Sequence, residues 1–419
     1  MTDRIGNRKS FGPLPGGGYL LDLIDEGVRV ELRHVRRDSW HQVHAEVDVS
    51  CDWAGALRPD DKTKSISCAD LNLSSQERRE GRGKYCARRA QSRPEDFDWP
   101  GVIDLACRLT LDAERTSSGA IILDDAADAV ESDFHVHGLR IPTDGASGFV
   151  ADGGGLKSLM LLYVLGQRAQ AGSPVLYLDN EWTATRHKTR KCRLFGTERI
   201  DNLFYWRLVA PLADELDRVR RFVDEHHIAL IGVDSVSQAV DGKLTDDDAA
   251  RAFLRTLSVL PPSICAAHIA KSQFGAEKTD VRPFGSAFFH NFLRASWVLK
   301  KQADSDGDVV IIGAFPSKQN DGPRAKAVGF EFSFTPERIF VRGVDLATVE
   351  GLADSLPLWL RMKHAVSRGP QTLATLADEL GAKVETIDRT VRRKNGMFTR
   401  VPGTDGIARI ALVETRQTA

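Results

Sequence analysis

The stretch Ala146–Ser158 constrains the fold of this chain more than any other. Its first half contains a short apolar run, Gly148–Ala151, that predicts a β-strand, and three glycines, Gly153–Gly155, follow it. Lys157–Ser158 then opens an apolar run, Leu159–Leu165, that predicts a helix. A strand, a glycine turn and a helix beginning at Lys-Ser form a loop whose backbone N–H groups can surround phosphates. In such a loop the lysine neutralises phosphate charge and the hydroxyl is available to Mg²⁺.

The match to the phosphate-loop pattern G-x-x-x-x-G-K-[ST] departs at two positions. Ala151 and Leu156 stand where the pattern has glycine, six places and one place before Lys157. An ordinary glycine-rich turn that caps a helix is the alternative interpretation. The phosphate-loop interpretation assigns nucleotide contacts to eight consecutive residues: Asp152, Gly153, Gly154, Gly155, Leu156, Lys157, Ser158 and Leu159.

Composition indicates an ordinary globular protein of more than one domain. A length of 419 residues suffices for two or three domains, and 42% hydrophobic with 27% charged residues is typical of soluble proteins. The net charge of −1 excludes a global basic field, although local patches can still bind nucleic acid. No apolar run is long enough to span a membrane, so we expect a cytoplasmic protein with no membrane partner. The six cysteines form no C-x-x-C pair, which favours reduced thiols over a scattered zinc site.

Residues 1–130 predict a small α+β accessory domain. Alternating apolar residues at 28–32 and 43–49 predict paired strands, and helices are expected over 76–91 and about 99–115. The first of these helices is very basic, so it either contacts nucleic acid or is a solvated surface. The stretch 131–145 contains glycines and a proline and is predicted as a linker.

Two apolar strands downstream of the glycine loop end in carboxylates. Val175–Asp179 is followed by Asn180 and Glu181, and Ile228–Asp234 is apolar up to its final aspartate. An aspartate that ends such a strand, here Asp234, is typical of a residue that holds the Mg²⁺ of a nucleotide. An aspartate that only begins a turn is the alternative interpretation. Alternating strands and helices, followed by a run of strands, predict over 146–345 a mostly parallel sheet extended by antiparallel strands.

The last segment, 355–419, has a different pattern. Helices are predicted over Thr372–Leu380 and Val384–Arg393, and a hairpin over Arg400–Val413. Helix, turn, helix and hairpin is the order of a winged-helix domain. Residues 361–419 carry eleven Lys and Arg against six Asp and Glu, a local positive excess of the kind that DNA-binding modules show.

Residues of about 136–345 resemble the RecA-like ATPase core of hexameric helicases, especially the RepA-type plasmid and phage group and, more distantly, DnaB-type replicative helicases. Four segments carry the resemblance: 152–158, 175–181, 230–235, and 266–271 with 282–286. The resemblance implies an α/β, RecA-like P-loop ATPase core, preceded by the α+β domain and followed by the winged helix.

The resemblance also implies the roles of the site residues. Lys157 would neutralise the β- and γ-phosphates of ATP, Ser158 and Asp234 would hold Mg²⁺, and Glu181 would orient the attacking water. His268 would sense the γ-phosphate, or it is a core histidine.

A DNA-facing loop follows His268 in the family. Its basic and aromatic residues suit single-stranded DNA, although a surface loop without ligand is the alternative. The residues concerned are Lys271, Lys278, Arg282 and Phe284.

The segment Lys318–Pro323 resembles the one that carries basic residues acting on the neighbouring subunit's nucleotide. Asn320 stands where an arginine is usual, so the arginine finger is unassigned. The candidates are Lys318, Arg294 and Arg324.

These features together predict an ATP-dependent DNA motor, a helicase or translocase, that hydrolyses ATP at the subunit interfaces of a ring, expected as a homohexamer. One alternative is a RecA-like regulatory or loader ATPase that does not unwind DNA. The other is a DNA-binding regulator with a degenerate nucleotide site, for which Ala151 and Leu156 argue.

Overall fold

The computed structural model describes residues 8–14, 17–52, 64–90, 97–116, 123–125, 133–269, 285, 287–303, 307–320, 322 and 325–413. The chain folds into two compact units, Met1–Asp128 and Ala129–Ala419. The finer division into three domains and a linker stays a prediction.

The first unit is a five-stranded antiparallel meander with two helices. Its strands pair in chain order: β1 (Lys9–Pro13), β2 (Tyr19–Leu23), β3 (Val28–Arg37), β4 (Val43–Cys51) and β5 (Ser65–Asn72). Helices α1 (Gln76–Arg89) and α2 (Trp99–Thr116) follow. Every second residue of β4, from Val43 to Cys51, is buried, which gives the sheet one apolar face for the helices to cover. This is the α+β architecture that the alternating strands and the two expected helices predicted.

A nine-stranded sheet forms the centre of the second unit. Its spatial order is β10-β9-β11-β12-β8-β13-β14-β15-β16. The strands are β8 (Ala146–Ala151), β9 (Val175–Asp179), β10 (Leu203–Arg207), β11 (Leu230–Asp234), β12 (Ser263–His268), β13 (Ala295–Lys301), β14 (Val309–Gln319), β15 (Val328–Phe334) and β16 (Ile339–Val344). Strands β8 to β13 are mutually parallel and the last three pairings are antiparallel. The predicted α/β class, a mostly parallel sheet extended by antiparallel strands, is therefore confirmed.

Helices cover both faces of the parallel part. They are α3 (Lys157–Gln170), α4 (Ala184–Phe195), α5 (Leu216–His226), α6 (Val236–Ala239), α7 (Asp247–Ser258) and α8 (Ala287–Phe292). Alternate residues of β12 enter two different hydrophobic clusters: Ile264 packs with α3, whereas Cys265 packs with α5 and α7. Because neighbouring residues of a strand point to opposite faces, these clusters are the two cores of the sheet.

A short hairpin precedes β8 within the stretch predicted as a linker. It consists of β6 (Asp133–Val136) and β7 (Leu139–Pro142). Val136, Leu139 and Ile141 are buried in the same cluster as α3. This segment therefore packs against the fold that carries the glycine loop.

The end of the chain forms a small cluster of helices with a three-stranded sheet. Its elements are α9 (Leu358–Ser367), β17 (Gln371–Thr372), α10 (Leu373–Glu379), α11 (Val384–Arg393), β18 (Phe398–Pro402) and β19 (Ala408–Leu412), with strand order β17-β19-β18. Met362, Ile387, Phe398 and Ile410 form its separate core. The order of elements agrees with the predicted pattern, and the assignment as a winged helix stays a prediction. Within the described residues no helix is both long and apolar enough to cross a membrane.

Candidate phosphate-binding site

The residues predicted to act together lie at the carboxyl edge of the parallel strands. The glycine loop leaves β8 after Ala151, and His268, the last residue of β12, pairs with Ala151. Asp234 at the end of β11 pairs with Asp179 at the end of β9. Parallel neighbours end at the same edge of a sheet, so the loop and the ends of β9, β11 and β12 come together.

The backbone of the loop explains which glycines it needs. Gly154 has a left-handed φ of +78°, and a Cβ on Gly155 would lie 2.8 Å from the Cβ of Ala151 and 3.1 Å from the carbonyl O of Asp152. Leu156 is also left-handed, with φ 52° and ψ 23°, immediately before α3. The phosphate-loop pattern has glycine at that position, and leucine adopts it at a cost of about 1–2 kcal/mol. The sequence departure at Leu156 is thus accommodated by backbone strain and not by a different loop.

Lys157 is buried at the start of α3 and folds back over the loop. Its Nζ donates to the carbonyl O of Ala151 at 3.1 Å and of Asp152 at 3.0 Å. Burial lowers the pKa of Lys157, and the nearby carboxylates of Asp234 and Glu181 oppose that shift. The ammonium therefore lies in an acidic surrounding at the site where phosphates are expected.

His268 connects the end of β12 to the loop lysine. Its Nδ1 lies 3.3 Å from Lys157 Nζ. Burial and the neighbouring ammonium lower the pKa of His268, so the ring is neutral at pH 7. Because an ammonium can only donate, Nδ1 accepts and the ring proton is on Nε2. The structure brings His268 into the site; its sensing role stays a prediction.

Asp234 is buried beside the first turn of α3. Tyr177 on β9 donates its hydroxyl to Asp234 Oδ2 at 2.6 Å, and the Ser158 side chain also hydrogen-bonds this carboxylate. Burial raises the pKa of Asp234, and these two hydrogen bonds oppose the rise. Tyr177 was not singled out from the sequence; the signal was a hydroxyl-bearing aromatic in an otherwise apolar buried strand.

The chemistry of Ser158 and Asp234 fits Mg²⁺. A hydroxyl and a carboxylate supply the hard oxygen ligands that this ion prefers, and the two side chains already touch. Among the residues that the structure describes, no group of three or more His, Cys, Asp and Glu side chains is placed to hold a metal ion. Magnesium at this site would therefore take its other ligands from phosphates and water, as it commonly does.

Glu181 lies in the turn after β9, with an exposed side chain. Its carboxylate acts electrostatically on Lys157, Asp234 and His268, so it faces the same site. The turn is held by Asp179, which is fully buried and to which the sequence analysis assigned no role. Its position two residues before Glu181, at the end of an apolar strand, was the available signal.

Two of the candidate finger residues lie at the opposite edge of the sheet. The N–H of Arg294 donates to the carbonyl O of Ala146, the first residue of β8, at 2.7 Å. Lys318 pairs with Ser296 near the start of β13, and its Nζ donates to the carbonyl O of His290 at 3.0 Å. Burial and the proximity of Arg294 lower the pKa of Lys318. The six residues of β8, a span of roughly 17 Å, separate these cations from the loop of their own chain.

The remaining predicted residues fall outside the described part of the chain. These are Arg324 and the DNA-loop residues Lys271, Lys278, Arg282 and Phe284.

The sheet order, the glycine loop at the end of β8 and the Lys-Ser start of α3 define the class of domain: a RecA-like P-loop fold. Two archaeal crystal structures are similar to the chain. They are the flagellar accessory protein FlaH from Methanocaldococcus jannaschii, with 16% identity and a TM-score of 0.35, and a KaiC-like protein from Pyrococcus horikoshii, with 13% identity and a TM-score of 0.38. Each match covers 48% of this chain and 91% of the other.

No family model matches the chain, and no curated protein does. With similarities this weak, the two structures carry no part of the functional proposals.

Proposed function

We propose that this protein binds ATP with Mg²⁺ at the glycine loop and hydrolyses it. One observation carries the proposal: a lysine, a Ser–Asp pair with hard oxygen ligands and an exposed glutamate meet at one edge of the sheet. They adjoin a loop in which a Cβ at Gly155 would lie 2.8 Å from Ala151 Cβ. Phosphoryl transfer needs positioning and charge neutralisation more than covalent chemistry, and this edge supplies both.

Each residue has a defined task in hydrolysis. The backbone N–H groups of Gly153–Gly155 and the start of α3 bind phosphate oxygens. Lys157 exchanges its two carbonyl partners for phosphate oxygens and neutralises their charge. Magnesium, held by Ser158 and Asp234, would neutralise the charge that develops on the phosphates. Glu181 orients the water that attacks the γ-phosphate.

We further propose that the site is completed by a neighbouring subunit in a ring. Arg294 and Lys318 lie at the sheet edge opposite their own loop, so neither serves the nucleotide of its own chain. Arg294 lines a surface depression of about 590 Å³ together with Pro261 and Pro262. Lys318 Nζ donates to the carbonyl O of Asn291, another residue that lines it. A head-to-tail contact would present this edge to the loop of the next subunit, and a ring closes such contacts. The predicted hexamer follows from the helicase resemblance.

From the same resemblance we propose that ATP hydrolysis drives movement along single-stranded DNA. The protein would then act as a helicase or translocase, as RepA-type and DnaB-type motors do. A regulator that binds nucleotide without hydrolysing it is the second candidate. It is favoured by the strained Leu156 at the glycine position of the loop.

Three measurements on the purified protein separate these functions: ATP turnover, turnover with single-stranded DNA, and strand separation on a forked duplex. The motor proposal expects Mg²⁺-dependent turnover that DNA stimulates, together with strand separation. Turnover without strand separation or DNA stimulation would leave a regulatory or loader ATPase. ATP binding without turnover under all conditions would favour the regulator.

A further inference from the structure

Asp179 closes the turn that carries Glu181. Its carboxylate is fully buried at the end of β9. Oδ1 accepts from the N–H of Glu181 at 3.0 Å and from the N–H of Trp182 at 3.2 Å, and Oδ2 lies 3.0 Å from the N–H of Trp182. One side chain therefore binds the backbone on both sides of the Glu181 Cα.

The edge strand β10 holds the same turn through two side chains. The hydroxyl of Tyr205 lies 2.9 Å from Asp179 Oδ2 and 2.9 Å from the carbonyl O of Trp182, so its single proton is shared between the two acceptors. Arg207 Nη1 donates to the same carbonyl and lies 3.4 Å from Asp179 Oδ2. Burial and the bond to Asp179 raise the pKa of Tyr205 to about 12, which keeps the hydroxyl a donor over the working pH range.

The opposite side of the turn is fixed to β11. The N–H of Asn180 donates to the carbonyl O of Asp234 at 3.0 Å, and Asn180 Oδ1 accepts from the N–H of Ser235 at 2.9 Å. The turn thus spans the strands on either side of β9. Within the described residues the Glu181 carboxylate has no hydrogen bond or ion pair, so a turn held from both sides presents an unpaired carboxylate.

Burying a carboxylate is unfavourable unless hydrogen bonds replace its water. Burial acts to raise the pKa of Asp179, but the His187 ring, whose Nε2 lies 3.4 Å from Oδ2, together with the hydrogen bonds from the Glu181 N–H and the Tyr205 hydroxyl, outweighs it and lowers that pKa. The group is therefore an anion at neutral pH, and its two oxygens accept hydrogen bonds from the turn and from Tyr205 on β10. A general base needs its orientation fixed closely, and a flexible turn would not provide that.

We propose that Asp179 and Tyr205 are positioning residues that fix the direction of the Glu181 carboxylate for water activation. The inference rests on the proposed ATP hydrolysis. It adds that the Tyr205 hydroxyl, on a strand outside the phosphate loop, affects the turnover rate.

The test is a double-mutant cycle between Tyr205→Phe and Glu181→Gln. Tyr205→Phe keeps the ring and removes only the hydroxyl, so kcat should fall on the order of tenfold while KM for ATP stays unchanged, since no group that binds phosphate is altered. In the Glu181→Gln background the same change should cause no further loss, because positioning acts only through Glu181. Tyr163→Phe is the matched control: it removes another largely buried hydroxyl, bound to His137 Nε2 at 2.8 Å, and should leave kcat unchanged.

A merely structural role of Tyr205 predicts a different pattern. The fall in kcat caused by Tyr205→Phe would then be as large in the Glu181→Gln background as in the wild type, or it would come with a rise in KM and a fall in melting temperature. Either result overturns the inference, while wild-type turnover still supports the proposed function. Absence of wild-type turnover overturns both.

Asp179→Asn provides a second variant if Tyr205→Phe folds poorly. The amide keeps one acceptor for the turn but places an NH₂ group against Tyr205 or Arg207. We expect a larger loss of kcat than for Tyr205→Phe, again absent in the Glu181→Gln background. An unchanged kcat in Asp179→Asn would also contradict the proposal.

Discussion

Replacing Gly155 by alanine is expected to damage the loop, whereas the same change at Gly153 is not. The added methyl at position 155 would lie 2.8 Å from the Cβ of Ala151 and 3.1 Å from the carbonyl O of Asp152. Carbon atoms pack at about 3.5–4.0 Å, so the loop must open by roughly 1 Å. Ala151 cannot retreat easily because it is fully buried in β8 and paired with β12.

The size of the effect follows from this clash. Overpacking of a rigid site costs about 1–3 kcal/mol, and the loss of glycine flexibility in the unfolded chain returns about 0.4–1 kcal/mol. A net destabilisation of about 1–2 kcal/mol is therefore expected, which corresponds to a fall in melting temperature of about 2–6 °C. Opening the loop would also displace the backbone N–H groups proposed to bind phosphate, so ATP affinity should fall by about tenfold.

The assay compares Gly155→Ala with Gly153→Ala by thermal melting and by calorimetric titration with an ATP analogue. A Cβ on Gly153 meets no heavy atom within 4 Å, and its φ is not left-handed. The Gly153 variant should therefore melt at or slightly above the wild-type temperature. Equal melting temperatures and equal affinities for both variants would refute the close packing of Gly155 on Ala151.

Three further results are expected. Glu181→Gln should keep ATP binding and lose turnover by about 10²-fold or more; a parallel loss of affinity would make Glu181 structural. Tyr177→Phe removes the 2.6 Å hydrogen bond to Asp234, so the Mg²⁺ concentration for half-maximal turnover should rise about tenfold, and an unchanged requirement would contradict the metal assignment. A mixture of Lys318→Ala and Lys157→Ala proteins should recover part of the lost ATP hydrolysis, because one interface of a mixed ring regains both halves of a site. If no activity is recovered and turnover does not depend on protein concentration, the complete site lies within one chain.

Local sequence patterns were sufficient for much of the fold. The glycine loop, the apolar strands that end at Asp179 and Asp234, and the helix Val384–Arg393 each depend on short-range periodicity and were correctly placed. Leu156 was recognised as a departure from the loop pattern, and its left-handed backbone shows why that position usually has glycine. Thr372–Leu380 was placed to within a residue at each end, since α10 spans Leu373–Glu379.

The contacts around the carboxylates could not be predicted in this way. Tyr177 meets Asp234 because β9 and β11 are neighbours in the sheet, and Tyr205 meets Asp179 because β10 lies on the other side of β9. Both pairings join segments that are distant in sequence, and a one-residue shift in register would point these side chains to the other face. The position of Arg294 and Lys318 at the far edge of the sheet likewise depends on the strand order, which periodicity does not determine.

The rate of ATP hydrolysis by Lys157→Ala, compared with wild type, tests the central claim most directly. Lys363, exposed on α9, provides the matched lysine control. The account predicts Mg²⁺-dependent turnover in wild type and in Lys363→Ala, and loss of both turnover and tight nucleotide binding in Lys157→Ala, because the phosphates lose the buried ammonium beside the loop. Wild-type turnover in the Lys157→Ala protein would contradict the assignment of this loop as the nucleotide site.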